Sequence, residues 1–110
     1  MRILRPGLIA VALLASSVAF AADEPSFELA LQNHKFQPAA LTIPAGKRVK
    51  LTVKNLDPTP AEFESHDFKA EKVIPAGKSV ILYVGPLEAG SYGFFDDFHK
   101  SQTTGTLIAK

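Results

Sequence analysis

Alternation with a period of two runs through the chain from about residue 26 onward. Val49, Leu51 and Val53 are interleaved with Lys50, Thr52 and Lys54, and Phe27, Leu29 and Leu31 with Glu28, Ala30 and Gln32. Successive side chains of an extended strand point to opposite faces, so these runs read as half-buried strands, the first over Ser26 to Asn33. Val80, Leu82 and Val84 form a third set, Tyr92 and Phe94 a fourth, and Thr106 to Ala109 a fifth. Turn signals separate them at Pro44-Ala45-Gly46, Asn55-Leu56-Asp57-Pro58, Pro75-Ala76-Gly77 and Gly85-Pro86. No helical stripe exceeds about ten residues. The pattern predicts an all-β fold, an antiparallel Greek-key β-sandwich with one core.

One segment occurs twice. Ile43-Pro44-Ala45-Gly46-Lys47 and Ile74-Pro75-Ala76-Gly77-Lys78 each stand just before an alternating run. Proline fixes φ and glycine permits the reversal, so the same turn is expected at both places.

The first residues follow a different logic. Arg2 and Arg5 precede an apolar run from Leu8 to Leu14 that continues through Val18 and Phe20, and Ala19-Phe20-Ala21 has the A-x-A form of a cleavage site. Residues 1–21 are therefore expected to be a secretory signal peptide, leaving one domain over residues 22–110. Loss of Arg2 and Arg5 moves the formal net charge from +1 to −1. The lysines are scattered singly and no basic stripe interleaves with aromatics, which argues against a nucleic-acid partner. The chain has no cysteine. An exported domain of this kind relies on its core, and on any bound metal, rather than on disulfides.

Chemistry-bearing residues concentrate in two segments. Ala61-Glu62-Phe63-Glu64-Ser65-His66-Asp67, if extended throughout, places Glu62, Glu64 and His66 on one face. Asp96-Asp97-Phe98-His99 puts two carboxylates and an imidazole at the end of the Tyr92 strand, a combination suited to a cation. Asp96 and Asp97 point to opposite faces if the strand continues through both, and which of them is the inner ligand stays open. His34, just after the first strand, is a further candidate. Ser65 beside His66 cannot bring both side chains together on a strand, which argues against a hydrolase.

Three stretches resemble the cupredoxins: Phe36 to Asn55, reading FxPxxLTIPAGKxVxLTVxN; the Asn55-Leu56-Asp57 loop; and Tyr92 to Gly105, reading YxFxxxxHxxxxxG. The resemblance implies a cupredoxin-like fold over nearly all of the mature chain. In blue-copper members a His follows the NxD loop, a Cys follows the YxFx strand, a second His comes three residues later, and a Met usually precedes the final Gly. Here Glu62 stands near the first position, Asp96 at the cysteine, His99 at the second His, and Thr103 and Thr104 in the methionine region. Without thiolate or thioether, a type 1 blue-copper centre is excluded.

Carboxylates with imidazole suit harder or borderline cations, and oxygen-rich ligation favours Fe(III) over Fe(II). The segments Ala61 to Ser65, Glu71 to Gly77, Gly85 to Phe95 and Asp97 to His99 are similar to cysteine-poor cupredoxin-like proteins of bacterial periplasmic ferrous-iron uptake systems. That resemblance implies a periplasmic protein that binds copper and/or iron and assists ferrous-iron oxidation. Its implied partners are a second periplasmic metal-binding protein and an inner-membrane iron permease. The expected site has Glu62, Asp96, Asp97 and His99 at its centre, Glu64 and His66 at its rim or in a second site, and His34 as an outlying contributor. Ferroxidase-type activity and a homodimer sharing a site are left open. The rival readings are a copper buffer or chaperone without a redox role and a metal-free module that docks a membrane permease.

Overall fold

The computed structural model describes residues 24–110, so the expected signal peptide and its cleavage site lie outside the described residues. Among the described residues, nine strands form two sheets. β1 (Ser26–Gln32), β2 (Lys35–Gln37), β4 (Val49–Asn55) and β7 (Ser79–Val84) make a four-stranded sheet in the order β2-β1-β4-β7. β3 (Ala40–Ile43), β5 (Ala61–Ser65), β6 (Ala70–Ile74), β8 (Gly90–Asp96) and β9 (Thr104–Ala109) make a five-stranded sheet in the order β3-β9-β8-β5-β6. The only helical element among the described residues is a 3₁₀ turn over Asp97–His99.

The alternating runs behave as their period requires. Leu29, Leu31, Val49, Leu51 and Val53 are all buried, while Lys50, Thr52 and Lys54 lie on the partly exposed face. Side chains from the two inner faces close the core, in which Phe36, Phe63 and Phe94 meet with ring centroids 5.0–6.1 Å apart. Phe36 stands nearly perpendicular to both other rings, the geometry that aromatic quadrupoles favour. The repeated turn is confirmed: Ile43 and Ile74 are buried at the ends of β3 and β6, and Gly46 and Gly77 take φ of +73° and +70°. Only glycine adopts that left-handed region at little cost.

Two expectations are corrected. The sandwich is not wholly antiparallel, because β1 pairs with β4 and β3 with β9 in parallel. The first strand stops at Gln32, because Asn33 and His34 turn the chain back into β2 with φ of +54° and +58°.

Gly105 lies opposite Phe94 in the β8–β9 ladder. A β-carbon there would occupy the space of the Phe94 ring edge and crowd the Ala39 carbonyl at 3.1 Å. Gly105→Ala should therefore destabilise the fold by about 1–3 kcal/mol, the usual cost of overpacking a close-packed core. Chemical denaturation of the purified variant checks this, and an unchanged midpoint would contradict it.

Candidate metal centre

β5 and β8 pair antiparallel with Phe63 opposite Asp96 and Glu64 opposite Phe95. That register sorts the site residues by face. Ala61, Phe63 and Ser65 of β5 point inward, as do Phe94 and Asp96 of β8, whereas Glu62 and Glu64 face outward. Asp97, one residue past the end of β8, joins them on the outer side. One carboxylate oxygen from each of Glu62, Glu64 and Asp97 lies within 4.8 Å of the other two. Oxygen donors bind hard cations at about 2.0–2.6 Å, so donors around one ion stand up to roughly twice that far apart. The triad meets this spacing.

The electrostatics agree with the geometry. The Glu62 carboxyl is pushed above the ordinary glutamate value, first by burial and then by the negative charges of Glu71, Asp97 and Glu64. Glu71 sits opposite Glu64 in the β5–β6 ladder. Acidic side chains gathered in this way repel one another unless a proton or a cation lies among them.

Asp96 has a different task. It is 1% exposed, and its Oδ1 accepts hydrogen bonds from the backbone N–H of Glu62 at 2.9 Å and of Phe98 at 3.0 Å. Its Oδ2 faces His99 Nδ1 at 3.0 Å. Asp96 thus caps the 3₁₀ turn, anchors β5 and orients the imidazole. The residue at the cysteine position of a blue-copper loop is a brace whose oxygens are already engaged.

The remaining candidates fall elsewhere. The expected grouping of Glu62, Asp96, Asp97 and His99 is divided by the sheet, with Glu62 and Asp97 on its outer face and Asp96 and His99 at the end of the core. Glu64, expected at the rim, is a member of the outer cluster. His66 lies beyond the end of β5 on an exposed turn, 3.9 Å from Glu64 and with its ring 5.3 Å from that of Phe95. It flanks the triad without joining it, because the strand ends at Ser65. The His34 ring stands 4.1 Å from that of His99.

Three contributors were not singled out in the sequence: Glu71, Asp57 and Thr103. The Asp57 carboxylate accepts from the N–H groups of Asn33 at 2.6 Å and His34 at 3.0 Å. Thr103, fully buried, donates its Oγ1 hydrogen to the His34 carbonyl at 2.7 Å, and its N–H to the His99 carbonyl at 3.0 Å. The Asn55-Leu56-Asp57 motif and the alignment of Thr103 with a methionine position were the available signals.

Comparison with known proteins agrees with this architecture. A family model described as a cupredoxin-like domain matches residues 7–109. An uncharacterized protein of Rickettsia prowazekii (strain Madrid E) is 35% identical over 81 residues, covering 74% of this chain. The chain spans 65% of that relative's length. Among solved structures, the metal-binding domain of the Cu(I)-exporting P-type ATPase CopA of Streptococcus pneumoniae D39, with Cu(I), superposes with a TM-score of 0.69 at 14% identity, covering 77% of this chain and 84% of that one. Auracyanin A, a blue copper protein of Chloroflexus aurantiacus, gives 0.66 at 15% identity over 77% of this chain and 98% of its own. A purple cupredoxin from Nitrosopumilus maritimus gives 0.59 at 21%, over 76% and 98%. At these identities the structural matches establish the fold.

Proposed function

The chain belongs to the cupredoxin-like domain family, and from that premise we propose that it is a periplasmic metal-binding protein that holds iron or copper on carboxylate ligands and assists ferrous-iron oxidation and uptake. The observation that carries this reading is the convergence of Glu62, Glu64 and Asp97 on a common point. Three anionic oxygen donors suit Fe(III) better than Fe(II), so iron bound there gives up an electron to dioxygen more readily than free Fe(II) does. The chain's lack of cysteine removes the soft thiolate of a blue-copper site. Asp96, standing in its place, is committed to hydrogen bonds.

The residues have separate roles in this proposal. Glu62, Glu64 and Asp97 bind the ion, Glu71 adds negative potential beside it, and Asp96 fixes the ends of the two strands that present them. Among the described residues no helix is long and apolar enough to cross a membrane. In this proposal an inner-membrane permease receives the ion. A second periplasmic metal-binding protein would be the companion in that transfer.

Titration of the metal-free protein with Cu(II) and, without air, with Fe(II) tests the proposal, followed by oxygen uptake once air is admitted. One equivalent of iron bound, with its oxidation faster than in buffer, is the expected result. Binding without turnover would reduce the protein to a carrier, and no binding would overturn the proposal.

A further inference from the structure

We propose that His34 and His99 form a second metal site, separate from the carboxylate triad, that binds a divalent transition ion through two imidazoles and suits Cu(II) best. The inference does not depend on the triad being occupied.

Asn33 and His34 form the two-residue connection between β1 and β2, and both have positive φ. A hairpin turn with two left-handed residues favours Asn followed by Gly, because a side chain at the second position crowds its own backbone. Here that position holds an imidazole. The conformation is held from two directions, by the Asp57 carboxylate on the Asn33 and His34 N–H groups and by the Thr103 hydroxyl on the His34 carbonyl. A non-glycine residue kept in such a conformation by buried partners is a mark of function.

Thr103 also bonds the His99 carbonyl, so one buried residue ties both histidines to the same end of the sandwich. The rings stand 4.1 Å apart, centroid to centroid, with a 39° tilt. Two imidazoles bound at about 2.0 Å and roughly at right angles around one ion place their centroids about 4–5 Å apart, and the observed separation falls in that range.

His99 Nδ1 faces Asp96 at 3.0 Å, and His34 Nδ1 faces Asp57 at 3.8 Å, with Asp96 and Asp57 only 1% and 6% exposed. The Asp96 carboxylate at 3.0 Å favours a proton on His99 Nδ1 and leaves its Nε2 as the donor, the arrangement common behind metal-bound histidines. His34 Nδ1 makes no hydrogen bond to Asp57 at 3.8 Å, so either of its ring nitrogens is open to an ion. The two buried carboxylates beside the rings also balance a divalent charge. Imidazole donors and the order of divalent affinities single out Cu(II).

The test is Cu(II) binding followed by electron paramagnetic resonance on three forms of the protein. The triple variant Glu62→Gln, Glu64→Gln, Asp97→Asn lacks the triad and should still bind one Cu(II) with hyperfine coupling to two nitrogens. His34→Gly restores the residue the turn prefers, so its Tm should be a few degrees higher, yet its two-nitrogen signal should vanish. Its Cu(II) affinity should fall by at least about 10–100-fold, the loss usual even when only a group hydrogen-bonded to a ligand is removed. A triad variant without the two-nitrogen signal, or a His34→Gly protein that matches wild type in spectrum and affinity, overturns the second site. Either result leaves the triad to be judged by its own titration.

Discussion

Replacing Asp96 with alanine should lower the Tm by about 10–20 °C, whereas the same change at Asp97 should leave it unchanged or slightly higher. The carboxylate of Asp96 is 1% exposed and serves the Glu62 N–H, the Phe98 N–H and His99 Nδ1. Alanine leaves these groups without an acceptor at the point where β5, β8 and the 3₁₀ turn meet. Buried polar groups left unpaired cost about 1–3 kcal/mol each, partly relieved by water, so a total of about 2–4 kcal/mol is expected. In a domain of this size each kcal/mol moves Tm by about 4–8 °C. Asp97 is exposed and stands among like charges, so its removal forfeits no comparable bond. Asp96→Asn should fall between, since one oxygen still caps the turn while the amide faces His99. Thermal melts of the three variants decide the matter, and equal Tm values for the two alanine variants would contradict the brace role of Asp96.

What the sequence revealed, and what it hid, follows the range of the interactions involved. The strands at Val49, Leu51 and Val53 were legible because each residue's burial is fixed by its own position in a period of two. The Ile43 and Ile74 turns were legible for the same local reason. Pairing is not local: nothing in the residues of β1 or β4 announces that they run parallel, because that depends on a chain path closed elsewhere. β2 and β3 escaped notice because Pro38 and short lengths of three and four residues leave too few positions to show alternation.

The site divides in the same way. That Asp96 and Asp97 would face opposite ways followed from strand geometry, but which of them binds an ion depended on Phe63 lying opposite Asp96, a partner 33 positions away. His66 was aligned with Glu62 and Glu64 only on the assumption of an unbroken strand, and the turn after Ser65 removed it. Asp57 and Thr103 act by gripping backbone groups of His34 and His99, and a residue whose job is to hold another's main chain carries no composition signal.

The largest functional effect should come from neutralising the outer carboxylates, and its sign on stability should be opposite to its sign on binding. Glu62→Gln with Glu64→Gln should abolish stoichiometric Fe(III) binding, because two of the three converging donors lose their charge. The same variant, free of metal, should melt a few degrees higher than wild type at neutral pH, because it relieves the repulsion that raises the Glu62 pKa. That raised pKa also fixes the pH dependence. The folded protein holds the Glu62 proton more tightly than the unfolded chain does, so Glu62 adds stability at low pH. The contribution is lost as pH climbs from the ordinary value of 4.5 through the raised one. Metal binding should show the reverse trend and strengthen over the same range, since the ion must displace that proton. Calorimetric melts with and without metal across this interval read both trends at once. A metal-free variant less stable than wild type, or metal affinity that is flat with pH, would mean that these carboxylates are a solvated edge rather than a site held ready for a cation.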